Sequence, residues 1–515
     1  MNNKLEFGTA GIRGVLGSGI GHLNYAHVQR VINGYSKYLL NKYKNQKITI
    51  VIGRDNRRMS YSFAKVAAII FNSYGIVPLF SKEITPTPFV SYLILKHKAQ
   101  GAVNVTASHN PAEYNGIKLY NDMGSQCLPE EIKEMSKYFE EYQNYSEEYK
   151  FHKSLTKQNY SYLEFVSKKD KDEYIDNITN IGGNNYQSKT NISYSPLHGT
   201  GNKYIKDIVD VLNQKNTLKD YLTVNLVKEQ MIQDRNFSAC PYPNPEKKEA
   251  YKMLIDLGKK NHSDIILMTD PDSDRVGLGV WHNNEYVLLN GNETATLIFD
   301  YLLKTTDLKD KEKMYMTYSF VSSNVPALLA QKAGIKQFVV PTGFKWIGMI
   351  INQELKKDNH SLFAFEESYG SLIDESLARD KDALQSVVML IKMASYYKSQ
   401  HKNLIEVLDD IYKEVGYVIS GNVEITITPE VKLEELQKNF VNLDLANKVV
   451  TDYNQFNDYM KSNMIKITFE DNPSWLALRP SGTEPKIKYY IFAFGKDKNE
   501  AQKMYKYYKH LITNA

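Results

Sequence analysis

The chain has 515 residues, room for roughly three to five domains, and with 42% hydrophobic residues it can bury several cores, which excludes a disordered or fibrous protein. Sixty-four basic and 59 acidic residues leave a formal charge of +5 with no block of like charge, so nothing favours nucleic acid as a partner, whereas small anions fit. "MNNKLEFGTAGIRG" lacks a signal-peptide core and no run nears the ~18 apolar residues of a membrane span, so the expected location is cytoplasmic, with no membrane partner.

In chain order, strand-like and helix-like segments alternate in three similar cycles. The first runs from "ITIVIG" (48–53) through the helical "YSFAKVAAIIFNSY" and the strand "IVPLF" to "GAVNV", which delivers Ser108. The second opens with "NISYSPLHGTG" (191–201), passes the helical "NKYIKDIVDVLN" and "LTVNLV", and reaches "SDIILM", which delivers "TDPDSDR". The third opens with "KMYMTYSFVSSN" (313–324), passes "VPALLAQKAG" and "KQFVVPTG", and reaches "HSLFAF", which delivers "EESYG". From about Val415 the pattern changes to the strands "GNVEITIT", "NMIKITF", "WLALRP" and "IKYYIFAF" with a helical end. The expected fold is therefore α/β: three similar mixed α/β domains (1–187, 188–290, 291–414) and a smaller α+β C-terminal domain (415–515) around a central cleft. Ligands in open α/β sheets bind beyond the carboxyl ends of strands, so the three polar loops can line one site.

The loops differ in chemistry. "VTASHNP" places Ser108 beside His109 at a strand end, a pair that by itself is more often a turn than a catalytic site. "DPDSDR" sets Asp270, Asp272 and Asp274 at alternate positions, where an irregular loop can turn three carboxylates toward one hard cation, Mg²⁺ or Ca²⁺. It is not an EF-hand: Arg275 holds the sixth position, Trp281 the twelfth, and a strand precedes it. "RPSGTEPK" (479–486) gathers Arg479, Ser481, Thr483, Lys486 and the amides around Gly482 into a nest suited to a phosphate dianion, without Walker spacing. "FEESYG" offers Glu366, Glu367 and Ser368 to sugar hydroxyls. Cys127 and Cys240 are too few and too far apart for a disulfide framework or a thiolate metal site.

These four loops, in this order, resemble those of the α-D-phosphohexomutases: "TASHNP" is similar to the family's phosphoserine loop, "DPDSDR" to its magnesium loop, "EESYG" to its sugar loop and "RPSGTEPK" to its phosphate loop. "FGTAGIRG", "YNGIKLY", "SPLHGTG", "PTGFKWIG" and "RDKDAL" extend the resemblance over essentially the whole chain. It implies a heart-shaped, four-domain intramolecular phosphotransferase acting on sugar phosphates, interconverting hexose 1-phosphate and hexose 6-phosphate, glucose first and mannose second.

The resemblance also implies the roles. Ser108 carries the phosphoryl group; Mg²⁺ is held by Asp270, Asp272, Asp274 and one oxygen of the Ser108 phosphate; hexose 1,6-bisphosphate is intermediate and activator. Arg13, His109, Lys118 and Arg275 surround the transfer site, with Lys118 or His109 as proton carrier. Thr342, Gly343, Glu366 and Ser368 read the sugar, and Lys381 with Arg479, Ser481, Gly482 and Thr483 holds the distal phosphate. The chain departs from the pattern at Gly370, where the phosphomannomutase/phosphoglucomutase branch often has histidine. That keeps a phosphopentomutase open as an alternative. From other classes, an aspartate-dependent phosphatase would leave Ser108 and "RPSGTEPK" without a task, and a silent sugar-phosphate-binding paralogue has no reason to keep Ser108 and three aspartates.

Overall fold

The computed structural model describes residues 5, 7–8, 11–183, 188–218, 221–426, 432–480 and 486–513. Four sheets follow one another along the chain. In the first, Thr49–Arg54 runs parallel to Val77–Phe80 and Gly101–Val105, and Tyr114–Tyr120 returns antiparallel beside the last of these. The second repeats the plan with Thr190–Ser195, Leu222–Leu226 and Ile265–Thr269 parallel and Val276–His282 returning. The third repeats it again with Met314–Ser319, Lys336–Val340 and His360–Glu366, and Gly370–Leu372 returning. Three α/β units with one strand order thus stand where three cycles were expected. The fourth sheet is antiparallel throughout, in the order Tyr417–Thr426, Lys486–Gly495, Trp475–Pro480, Ile465–Phe469, Lys448–Asp452, and Lys498–Thr513 packs on it.

The threefold plan puts a hairpin at the carboxyl end of the same strand each time. Each hairpin holds one non-glycine residue in the left-handed region: Ser108 at φ 51°, Ser273 at 57° and Tyr369 at 69°. This conformation costs about 1–2 kcal/mol for an L-residue and persists where the surroundings over-determine it.

The central parallel strands are buried on both faces, so "IILMT" and "GAVNV" carry no exposed residue and read as continuous rather than alternating runs. One large core joins the second and third sheets around the helix Ala383–Lys398, in which only Tyr396 and Lys398 are not buried. Asp382 caps that helix, its Oδ1 accepting from the Leu384 and Gln385 amides, while its Oδ2 accepts from the Tyr174 hydroxyl at 2.8 Å. Tyr174 lies on Lys168–Asn180, a helix that packs against the helices Ile205–Lys215 and Ala383–Lys398. Phe320 and Val321 share a smaller core with Trp475 and Phe492, which seats the fourth sheet on the third.

Candidate active site

The first hairpin brings Ser108, 3% exposed, against the second sheet. Its Oγ donates to Asp270 Oδ2 at 2.9 Å, across 162 residues of chain, and stands 3.1 Å from His109 Nδ1. A hydroxyl has one proton, so with that proton given to Asp270 the imidazole Nδ1–H is the donor to Ser108. Burial, then the charges of Arg275 and Arg13, hold the His109 pKa well below its usual value. Arg13, on the neighbouring strand Gly11–Val15, donates from Nη1 to Asn110 Oδ1 at 3.0 Å.

The second hairpin turns its three carboxylates inward. Asp270, Asp272 and Asp274 are each at most 1% exposed and offer oxygens within 4.8 Å of one another. Asp270 Oδ1 accepts from the amides of Asp274 and Arg275, both at 3.0 Å, which rigidifies the turn. Asp272 Oδ2 accepts from Thr87 Oγ1 and from Lys118 Nζ, both at 2.7 Å, and Lys118 also reaches Asp274 Oδ2 at 3.1 Å. Burial works against the Lys118 ammonium, but Asp272 and Asp274 more than offset it and its pKa is raised. Burial, then Asp272 and Asp274, push Asp270 well up; burial of Asp274 is overcome by Lys118, Lys381 and Arg275, and its pKa falls.

This donor set fits a hard divalent cation. Asp272 Oδ1 and Asp274 Oδ1 are buried with no hydrogen-bond partner among the described residues, and orphaned carboxylate oxygens are costly unless a cation meets them. The loop 197–200 backs the site closely: a Cβ on Gly199 would lie 2.3 Å from the Pro271 Cα, so only glycine permits the approach, and the Thr200 amide donates to Pro271 O at 2.8 Å.

The third hairpin joins the second through the Val276 amide, which donates to Tyr369 O at 3.0 Å. Glu366, 7% exposed, accepts from the Gly343 amide at 2.6 Å, and Gly343 holds φ 109°, which suits glycine. Thr342 and Ser368 are half-buried beside them. Glu367, read from sequence as open to sugar hydroxyls, is instead engaged with Ser319 Oγ and Ser322 Oγ at 3.0 and 3.2 Å. Lys381, expected at the distal phosphate, lies with Nζ 3.3 Å from Asp274 Oδ2 and 5.5 Å from the Phe344 ring centre. Its stem passes over Gly370, where a Cβ would stand 2.0 Å from Lys381 Cδ.

Of the phosphate loop, Ser481, Gly482 and Thr483 lie outside the described residues. Arg479, half-buried near the end of Trp475–Pro480, neighbours Tyr490; burial, then Glu367, push that phenol up to about 12, with Arg479 pulling against them. Tyr490, on the fourth-sheet strand Lys486–Gly495, also belongs to the core shared with Phe320 and Val321.

Several site residues escaped the sequence reading. Arg57, Thr87 and Glu246 make their contacts across long stretches of chain; Glu246 Oε1 accepts from Arg275 Nη1 at 2.7 Å. Lys345, inside the quoted "PTGFKWIG", is 4% exposed, and burial brings its pKa down to about 8. The only signal for Arg57 is position: "RDNRR" follows the first strand of its sheet at the same carboxyl end as the three hairpins.

Comparison with known proteins bears on this arrangement. Residues 4–146, 172–282 and 290–415 match, in order, the phosphoglucomutase/phosphomannomutase alpha/beta/alpha domains I, II and III. A phosphoglucomutase of Staphylococcus aureus (strain MRSA252) is 34% identical over 95% of this chain and 89% of its own length. The open form of the pp63/parafusin phosphoglucomutase from Paramecium aligns with 99% of this chain and 94% of its own at a TM-score of 0.75 and 16% identity. An Aspergillus fumigatus N-acetylphosphoglucosamine mutase in complex with GlcNAc-6P and magnesium aligns with 93% of this chain and 85% of its own at 0.51 and 10%. With the three domains matched in sequence order and a relative aligned nearly end to end, the chain belongs to the α-D-phosphohexomutase family of phosphoglucomutases and phosphomannomutases, phosphotransferases that act as isomerases.

Proposed function

We propose that this hexose phosphate mutase interconverts glucose 1-phosphate and glucose 6-phosphate through a phosphoserine at Ser108 and a glucose 1,6-bisphosphate intermediate. The observation that carries the reading is the 2.9 Å contact between the Ser108 hydroxyl and the carboxylate cluster, which joins a nucleophile to a cation site from two separate sheets. The name of the S. aureus relative supports glucose, and the magnesium in the fungal neighbour supports Mg²⁺ at Asp270, Asp272 and Asp274. Bound there, Mg²⁺ would neutralise charge on the transferring phosphoryl group. Arg13 and Arg275 flank that group, Lys118 or His109 carries the proton, and Glu366 with the 342–343 turn reads the sugar. Arg479, Ser481, Gly482 and Thr483 hold whichever phosphate is not reacting, so the bisphosphate can turn between the two transfers. Near-complete burial of Ser108 and the aspartates keeps water from the phosphoserine. The same reading divides the chain at 187/188, 290/291 and 414/415; among the described residues no sheet has strands on both sides of any of these points.

Intact-mass analysis of the isolated protein, followed by turnover of glucose, mannose and ribose 1-phosphates side by side, tests the proposal. One added phosphoryl group on Ser108 and fastest turnover of glucose 1-phosphate are expected. Faster turnover of the ribose ester would make it a pentomutase, and release of inorganic phosphate without isomerisation would make it a phosphatase.

The contact between Lys381 and Gly370 gives a second test. Gly370→Ala puts a methyl where the lysine stem runs, so Lys381 must leave Asp274. Loss of a charge-assisted contact worth about 1.5–3 kcal/mol lowers kcat/KM by roughly 10- to 100-fold. Kinetics equal to the parent enzyme would show that Lys381 has room to move aside without consequence.

A further inference from the structure

The left-handed conformation of Ser108 needs something to hold it; Thr106 Oγ1 accepts from the Ser108 amide at 2.9 Å, and one side chain, Arg57, gathers the hairpin's carbonyls. Arg57 is 3% exposed and spends its whole guanidinium on the Ser108 hairpin and its own support. Nη2 donates to the carbonyls of Ser108 and Asn110, both at 2.5 Å. Nη1 donates to the carbonyls of Pro111 and Tyr114 at 2.7 and 3.2 Å. Nε lies 3.0 Å from Asp55 Oδ2, and Asp55 Oδ1 is fixed in turn by the Arg57 amide at 2.9 Å and Ser60 Oγ at 2.6 Å. Four carbonyls of one hairpin converge on a planar fork, which a lysine ammonium cannot reproduce.

The fork is closed from the second sheet. The Phe237 ring, fully buried, stands with its centre 4.8 Å from the Arg57 guanidinium carbon. Phe237 belongs to the long connection 227–247, which is itself pinned: the Ala239 amide donates to His198 Nε2 at 3.1 Å, so the neutral ring carries its proton on Nδ1 and donates it to Ile232 O at 2.8 Å. On either side of Arg57, Asn56 donates to Asp234 O at 3.3 Å and Arg58 to Asn236 Oδ1 at 2.6 Å. The long connection is therefore fitted to residues 56–58 of the first sheet.

We infer that Arg57, capped by Phe237, is the positioning residue of this mutase: it holds the Ser108 hairpin in the left-handed turn that aims Oγ at the carboxylate cluster, and it ties that aim to the approach of the second sheet. The inference rests on Ser108 being the phosphoryl carrier. Among the described residues the guanidinium hydrogen bonds of Arg57 go to hairpin carbonyls, not to Ser108 Oγ or the sugar loop, so its loss misplaces the phosphoryl group without removing a contact to substrate. Small misplacements of reacting atoms cost orders of magnitude in rate.

The test is steady-state kinetics of Arg57→Lys and Phe237→Leu, with thermal melts and the fraction of Ser108 phosphorylated by a sugar bisphosphate. In Arg57→Lys, kcat is expected to fall about 100-fold with KM for glucose 1-phosphate within about threefold, and phosphorylation of Ser108 to slow in parallel. In Phe237→Leu, which keeps an apolar side chain but removes the ring, kcat falls about five- to tenfold, again with KM unchanged. If Arg57→Lys fails to fold, Phe237→Leu decides alone. A folded Phe237→Leu with parental kcat, or an Arg57→Lys whose KM rises in step with the loss of kcat, overturns the inference. Turnover by Ser108→Ala overturns the underlying reading instead, so the two failures are distinct.

Discussion

Ser108→Ala loses turnover by at least about four powers of ten, because the proposed reaction takes up and returns the phosphoryl group on Ser108 Oγ. The fold survives. The substitution removes two hydroxyl contacts, to Asp270 Oδ2 and His109 Nδ1, each worth about 0.5–1.5 kcal/mol, and alanine has no more difficulty than serine with the left-handed backbone. Substrate binding survives too, since the sugar and phosphate loops come from the third and fourth sheets. Calorimetric titration of glucose 6-phosphate into the variant is expected to give an affinity within about threefold of the parent, with no phosphorylated species by mass. Turnover within tenfold of the parent enzyme would remove Ser108 from the reaction.

Chelation, and separately Asp272→Asn, lower kcat by roughly 100-fold or more, because the charge that the cation offsets is greatest during transfer. Stability reports the same site independently of activity. A cation at one hundred times its dissociation constant raises unfolding free energy by about 2.7 kcal/mol. Asp272→Asn removes one of three carboxylates, leaving Thr87 without the anion it now faces and Lys118 with Asp274. If its affinity falls 100-fold, the same magnesium concentration stabilises by only about 0.4 kcal/mol. Thermal melts with and without magnesium check this; equal magnesium-induced shifts in the two proteins would show that Asp272 does not hold the ion.

Sequence and tertiary structure contributed differently to these expectations. The three cycles were legible because strands buried on both faces are unbroken apolar runs, and each ends in a polar hairpin that hydropathy alone marks out. The buried carboxylate cluster was legible because its members lie within five residues, Asp270 to Asp274, so local spacing contains the geometry. Ser108 was legible as a strand-end serine but not as a nucleophile; its partner Asp270 is 162 residues away, and only the resemblance connected them.

What the sequence by itself determined, then, is the set of local devices: apolar strands, the alternate aspartates, the glycine-bearing turns. Their chemistry needs only neighbours in the chain. What only the tertiary structure decided is which charges meet. Lys381 turned out to reach Asp274, Glu367 to face two serines, and Arg57 to bind four carbonyls under a ring from another sheet. Long cationic and anionic side chains have no periodic signature, and a single arginine in "RDNRR" looks like any solvated charge until folding strips its water away. Desolvation then makes each pairing obligatory, since a buried charge without its partner costs several kcal/mol, and that is a property of the packed state alone.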